Sequence, residues 1–376
     1  MTRQANPFHY GSPVRGEEFA DRRRELAALT SRMLDRGNVI LLSPRRYGKT
    51  SLLQRAIDSV RRQRGRTGYA SLVKTSSRRE VAEVLLGAVL SGPAGWLTRR
   101  RADLTALLSS FDAQPSLTVH PSGALQVSFT AAASHVEWNQ VLADSLRILR
   151  KVARTHPTSL VIDEFQRVAE IDTGLPGVFK AIADELADVS FVFAGSKLHL
   201  MRELSSGPGA PLLGMGEHIS LDVIPPGDMV PFLRRRAMSG GKSMTDEVAA
   251  HLYQRVDGVP NEVQKLAYAA FAAAGRELDD EAVSAGFDEI VVLEVVDYME
   301  LLDSCSPAQR RLLQLLATAP QQHVYRADFL REVDVSNANA VRKALDVLSR
   351  RELIRRGGDQ HWYVVNPFFR EWLTRV

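Results

Sequence analysis

Cysteine is nearly absent. Cys305 is the single one in 376 residues, which excludes an internal disulfide and a cysteine-cluster metal site. Apolar runs long enough to span a bilayer are also missing. The opening Met1-Thr2-Arg3-Gln4-Ala5-Asn6-Pro7 lacks the apolar block of a secretory signal. The expected location is therefore cytoplasmic, with no membrane partner. No internal repeat or low-complexity tract stands out. Net charge is only +4, a mild excess that does not by itself imply nucleic acid. What remains is a globular composition, 45% hydrophobic and 24% charged, in a chain long enough for two or three domains.

The most informative stretch is Ser43-Pro44-Arg45-Arg46-Tyr47-Gly48-Lys49-Thr50. It follows the apolar run Val39-Ile40-Leu41-Leu42 and precedes the helical pattern Ser51-Leu52-Leu53-Gln54-Arg55-Ala56. That order reads as buried strand, phosphate loop and helix start. Backbone N–H groups at a helix N-terminus form an anion site. Gly48 lets the backbone approach phosphate, Lys49 can reach the β- and γ-phosphates, and the Thr50 hydroxyl can ligate Mg²⁺. Residues 44–51, from Pro44 through Arg45, Arg46 and Tyr47 to Ser51, form the expected nucleotide cradle. Ser43 stands where the consensus G-x-x-x-x-G-K-[ST] has its first glycine.

Further strands are expected at Tyr69-Ala70-Ser71-Leu72-Val73-Lys74, at Leu160-Val161-Ile162 and at Phe191-Val192-Phe193-Ala194. Strands alternating with helices imply a parallel sheet covered on both faces. Between them, residues 78–109 read as helix with a break at Gly92-Pro93. Residues 117–129 alternate around Pro121-Ser122-Gly123, a hairpin expected to project from the core. Asp21 is the expected cap of a helix carrying Leu26, Leu29 and Met33. After Pro225-Pro226-Gly227 only helices are expected until the C-terminal unit. The expected division is an entry segment and helix at 1–37, an α/β core at 38–224 with an insertion at about 78–135, a helical lid at 225–300 and a C-terminal unit at 301–376.

Two strand ends carry chemistry. Asp163 and Glu164 close one apolar strand. Asp163 can share Mg²⁺ with Thr50, and Glu164 can orient and deprotonate a water. Ser196 closes the next strand, where a hydroxyl can meet a γ-phosphate or the attacking water; a plain Gly195-Ser196 turn is the alternative. Lys197 and His199 read as a solvated helix start.

In combination these segments resemble a AAA+/STAND-type ATPase of the group described as archaeal-type ATP-binding proteins, also found in bacteria. Asn6-Pro7-Phe8 through Phe19-Ala20-Asp21-Arg22 is similar to the family's adenine-side segment. Residues 43–53 resemble its Walker A loop, Val161-Ile162-Asp163-Glu164 its Walker B strand, and Ala194-Gly195-Ser196 its sensor 1. Gly258-Val259-Pro260 resembles the motif of the STAND lid, where the proline packs near adenine. The resemblance implies ATP or ADP with Mg²⁺ as ligands and a P-loop NTPase fold with helical lid and winged helix. Catalytic roles would fall to Lys49, Glu164 and Ser196, and Pro260 would lie against the base. Relatives often show an arginine where this chain has Met215, which implies slow hydrolysis; Arg45, Arg46 and Arg202 are the other arginines in reach of such a role.

The tail's basic surplus exceeds the net charge of the whole chain. From Cys305 onward twelve Lys+Arg face seven Asp+Glu. Three short helical patterns followed by strand, Gly357-Gly358-Asp359 turn and strand describe a winged helix-turn-helix. Its second helix would span 337–351, capped by Ser336, with Val341, Leu345 and Leu348 buried. Arg342, Lys343, Arg350, Arg355 and Arg356 would be exposed and could contact DNA phosphates. The alternative is an internal latch, and a protein partner or self-assembly also stays open. The other basic run, Arg61-Arg62-Gln63-Arg64-Gly65-Arg66, reads as a solvated helix end.

Overall fold

Val39–Leu42 is wholly apolar and wholly buried, as a strand with neighbours on both sides and helices over both faces must be. A computed structural model describes residues 5–12, 20, 22–95, 101–109, 111, 113, 115–119, 125–129, 136–335, 337–357 and 359–376. The chain divides into two units, one of residues 22–222 and one of 1–21 with 223–376.

The first unit runs α1 (Arg23–Leu34), β1 (Val39–Leu42), α2 (Lys49–Arg62), β2 (Arg66–Ser71), α3 (Arg78–Ser91), α4 (Arg101–Leu108), β3 (Pro115–Val119), β4 (Leu125–Phe129), α5 (Trp138–Ala153), β5 (Thr158–Asp163), α6 (Arg167–Ile171), α7 (Leu175–Glu185), β6 (Val189–Gly195), α8 (Leu198–Ser205) and β7 (Glu217–Ser220). The parallel sheet has the order β2-β5-β6-β1-β7. Leu41 faces Ala194 and Ala194 faces Asp163. The carboxyl ends of β1, β6 and β5 are therefore level and adjacent, where open α/β sheets place their ligands.

Three features depart from expectation. β7 reads Glu-His-Ile-Ser and buries only Ile219; as an edge strand it needs one apolar face, so its pattern is too weak to read. β2 starts at Arg66 rather than Tyr69, because pairing with β5 from Thr158 to Asp163 sets its span. The β3–β4 hairpin does not project: Val127 and Phe129 enter the same core as α3 and α5, and the Phe129 and Trp138 rings lie 5.6 Å apart. Its turn, with Pro121, Ser122 and Gly123, lies outside the described residues, as do Phe19, Asp21, Ser336 and Gly358. Arg22 sits at the N-cap of α1 without a side-chain cap.

The second unit contains α9 (Pro226–Ser239), α10 (Asp246–Arg255), α11 (Pro260–Ala273), α12 (Asp280–Leu293), α13 (Val295–Asp303), α14 (Pro307–Thr318), α15 (Ala327–Val333), α16 (Ala338–Arg350), β8 (Ile354–Arg356), β9 (Trp362–Val364) and α17 (Pro367–Arg375). The entry segment packs here: Phe8 is fully buried against Phe271, and the Asn6 amide donates to the Tyr268 carbonyl. One hydrophobic core runs from this segment through α9–α13 into α14–α17. The Phe287 and Phe368 rings are 4.9 Å apart and those of Tyr298 and Phe369 5.2 Å. Asn337, not the expected Ser336, caps α16 by accepting from Ala340 N–H at 3.0 Å. Among the described residues no helix is long and apolar enough to cross a membrane.

Candidate nucleotide site

The segment after β1 turns sharply into α2. Ser43 N–H donates to the Gly195 carbonyl at 3.2 Å, and its hydroxyl donates to the Pro44 carbonyl at 3.0 Å. Serine in the consensus glycine position is thus satisfied locally. Arg46 and Gly48 take positive φ, 71° and 87°. A Cβ on Gly48 would meet nothing within 4 Å, so the glycine serves the left-handed turn and leaves the backbone open to approach. No side chain caps α2 at Gly48. Tyr47 and Ser51 are buried, Pro44 and Thr50 are half-buried, and Arg45 and Arg46 are exposed.

Arg22 supports this loop. Its guanidinium donates to the Tyr47 carbonyl at 3.0 Å and to the Asp222 carbonyl, and it pairs with Glu25 at 3.0 Å. In the sequence Arg22 stands out only as the end of the segment that resembles the adenine side, and no local pattern points to these carbonyls.

β5 is buried at all six positions and delivers Asp163 to the level of the loop. The Lys49 ammonium lies 2.6 Å from Asp163 Oδ1 and also pairs with Glu164. Ser196 Oγ donates to Glu164 Oε2 at 2.7 Å, and the Gln166 amide donates to the same oxygen. The Tyr69 hydroxyl donates to Asp163 Oδ2 at 2.8 Å. Lys49, Asp163, Glu164 and Ser196, read from three separate segments, thus meet in one network. Tyr69 and Gln166 are members the sequence reading missed.

Two physical consequences follow. Glu164 has φ 57°, a backbone state that costs a non-glycine residue of order 1 kcal/mol and gathers at functional sites. Its carboxyl feels opposing influences. Burial pushes it up, but the Lys49 ammonium and hydrogen bonds from Lys49, Ser196 and Gln166 together outweigh burial and hold it below the usual carboxylate range. Burial, then the neighbouring Asp163 carboxylate, pushes the Tyr69 phenol up, so it stays a donor.

The donor set fits a metal-bound phosphate ligand: an open helix N-terminus with a lysine, a hydroxyl at Thr50, and two carboxylates at one strand end. Of the other expected residues, Lys197 pairs with Glu170 at 2.6 Å, His199 and Arg202 are exposed, and Met215 is buried in the core. Pro260 belongs to the second unit, where it begins α11 and is buried. Just before it, Gly258 has φ 65° and lies against the Tyr253 ring, so that a Cβ would clash.

Comparison with known proteins bears on the fold. A Walker-type ATPase of Pyrococcus abyssi superposes with a TM-score of 0.68 at 16% identity, covering 98% of this chain and 100% of that one. The ORC2 protein of Aeropyrum pernix, in ADPNP–ADP complexes, superposes with 0.52 at 17%, covering 94% and 92%. Residues 296–375 match the family described as a probable winged helix domain. The chain shares the fold of these two structures, a parallel sheet covered by helices, and ends in a region that matches a probable winged helix domain. Comparison with curated proteins finds no match in sequence.

Within the winged helix, Val341, Leu345 and Leu348 are buried as expected. Arg342, Lys343 and Arg350 are exposed on α16, and Arg355 and Arg356 are exposed on β8. Arg351, on the other side, hydrogen-bonds Ser304 and the Cys305 sulfur.

Proposed function

We propose that this protein is an ATP-binding, Mg²⁺-dependent switch that hydrolyses ATP slowly. The observation that carries the reading is the Lys49 ammonium held between Asp163 and Glu164 at the open start of α2. The ammonium is already positioned where it can exchange carboxylate partners for phosphate. Pro44, Arg45, Arg46, Tyr47, Gly48 and Ser51 contribute the loop around the phosphates. Thr50 and Asp163 would hold Mg²⁺, which neutralises phosphate charge when bound. Glu164 stays ionised at neutral pH and accepts a proton from water. Ser196 fixes the Glu164 carboxylate and reads the γ-phosphate.

The lid provides the output. Asp257, next to Gly258, forms a two-pronged ion pair with Arg370 of α17 at 2.7 and 3.1 Å. A change at the Asp257–Pro260 corner would be carried to the winged helix through that pair and the shared aromatic core. ATP shifts the lid only as far as its affinities for two lid positions differ. The decisive test is calorimetric titration of ATP and Mg²⁺ into the native and Lys49→Ala chains. Tight binding lost in the variant supports the site; equal affinity removes it.

A second reading rests on the exposed cations of α16 and β8. Arg342, Lys343, Arg350, Arg355 and Arg356 would hold duplex DNA by its phosphates, with α16 in the major groove. A salt-dependent mobility shift lost in the Arg342→Ala/Lys343→Ala chain supports it; an unchanged shift refutes it.

A further inference from the structure

A strongly basic concavity lies at the opposite end of the sheet from the phosphate loop. Arg66 begins β2 and faces Thr158, which faces Val189. The loop instead meets Gly195, six residues further along β6, or about 20 Å at the usual strand rise. At the amino end a cavity of 560 Å³ is lined by Arg61, Arg64, Arg66, His156, Ser91 and backbone near Gly65 and Gly92. Among the described residues no carboxylate lines it, and none of the three arginines forms an ion pair with an acid.

The cavity is built rather than incidental. The Arg61 guanidinium is held by the Thr67 carbonyl at 3.1 Å. Arg64 takes φ 64° in the turn after α2, and Gly65 N–H closes that turn on the Val60 carbonyl at 2.9 Å. A Cβ on Gly65 would lie 2.4 Å from a Val60 methyl, so the turn that presents Arg64 and Arg66 depends on glycine. A Cβ on Gly92 would lie 2.7 Å from the Thr67 carbonyl, so glycine there lets the end of α3 pack onto the start of β2.

The ordinary explanation for cations here is compensation of helix C-termini. α2, α3 and α5 all end in this region, and each end carries roughly half a negative charge. Three such ends amount to about −1.5, against three guanidiniums. A surplus of about +1.5 is left, with no acid among the described lining residues to absorb it. Guanidinium forks match phosphate geometry in pairs. Among the described residues the lining has no Phe, Tyr or Trp on which a base could stack. The ligand chemistry is therefore that of successive phosphates rather than bases.

We infer that Arg61, Arg64, Arg66 and His156 form a phosphate-chain site, separate from the phosphate loop, that takes a polyphosphate either free or as a nucleic-acid backbone. The test titrates inorganic tripolyphosphate, and separately an oligothymidylate, into the full chain and into Arg64→Ala/Arg66→Ala. Both residues are exposed, and circular dichroism checks that the variant is folded. Saturating ADP blocks the phosphate loop, and a repeat in the Lys49→Ala chain removes the loop if ADP does not bind. The oligonucleotide arm is repeated in Arg342→Ala/Lys343→Ala to remove the winged helix.

Tripolyphosphate affinity is expected to fall at least tenfold in Arg64→Ala/Arg66→Ala, with ADP affinity unchanged. A matching fall for oligothymidylate, with a salt slope smaller by about 1.4 for two lost contacts, assigns the backbone as a source. A fall for tripolyphosphate alone assigns the free polyphosphate. Equal affinity of native and variant chains for both probes overturns the site, whatever becomes of the nucleotide reading.

Discussion

The carboxyl end of the sheet and the surface of the winged helix are both rich in charge, yet they hold it in opposite ways. At the sheet end one ammonium faces two carboxylates, and each carboxylate also accepts from a hydroxyl. The network is largely buried, so every member is specified and none can leave without a replacement. On α16 and β8 the cations stand in water, where each interacts weakly and is screened by salt. The contrast teaches what each surface can do. A buried triad suits a ligand of fixed shape that replaces its partners one for one, as proposed for nucleotide. An exposed set would suit an extended polyanion, held by many small attractions.

The strongest break in this comparison is Lys49→Ala. It leaves two buried carboxylates without their cation, a change that typically costs about 3–5 kcal/mol, and it removes the phosphate ligand as well. Urea unfolding and ATP calorimetry on the same sample separate the two losses. If stability were unchanged, the triad would not be the buried unit described above. Glu164→Gln comes next. It keeps the hydrogen-bonding shape and removes the base, so ATP binding should persist while turnover falls about 10²–10⁴-fold. Retained phosphate release would take Glu164 out of its role.

How far the sequence showed this site depends on how each residue arrives there. Asp163 and Ser196 stand at the ends of apolar runs, which are readable as buried strands, and Lys49 is readable from the loop pattern that follows another. Tyr69 was read as part of a strand, but its role needs the β2–β5 register that sets Ser71 opposite Asp163. Gln166 acts only because Glu164 takes a left-handed turn that sends the chain back past its own carboxylate. Arg22 reaches carbonyls 25 and 200 residues away, which no local pattern encodes. The parallel fold was readable from its buried strands; β7 was not, since an edge strand with one buried residue carries no alternation. The shared core of lid and winged helix was hidden for another reason: Phe287 and Tyr298 look like ordinary helix core until α17 is seen to pack on them.

Arg22 gives an intermediate test, because it is buried like the triad but is read by backbone carbonyls. Arg22→Ala should cost about 1.5–3 kcal/mol, the range for hydrogen bonds to a charged group, and weaken ATP binding through the Tyr47 carbonyl. Arg22→Lys should restore only part, since one ammonium cannot replace the fork that spans Tyr47 and Asp222. Full recovery by lysine in urea unfolding would show that charge alone matters there.

Acid titration sharpens the comparison more gently. The Glu164 carboxyl is held below its ordinary value of 4.5 in the folded chain. A depressed carboxyl contributes stability that is complete above the unfolded value and is lost as pH falls through the folded one. The stability of native protein relative to Glu164→Gln should therefore be flat at neutral pH and shrink below about pH 4.5. A difference that stayed constant to lower pH would mean that Glu164 is not held ionised by Lys49.

The smallest effect belongs to the exposed surface and tests whether it is a surface for polyanions at all. If Arg342 and Lys343 each meet one DNA phosphate, removing either should lower the slope of log affinity against log salt by about one. Folding stability should hardly move, because neither side chain is buried. Sequence preference should survive, since phosphate contacts position a protein without reading bases. A single substitution that destroyed binding at every salt concentration would contradict the picture of many weak, independent attractions. It would place on α16 the kind of specified, all-or-none contact that otherwise distinguishes the sheet end.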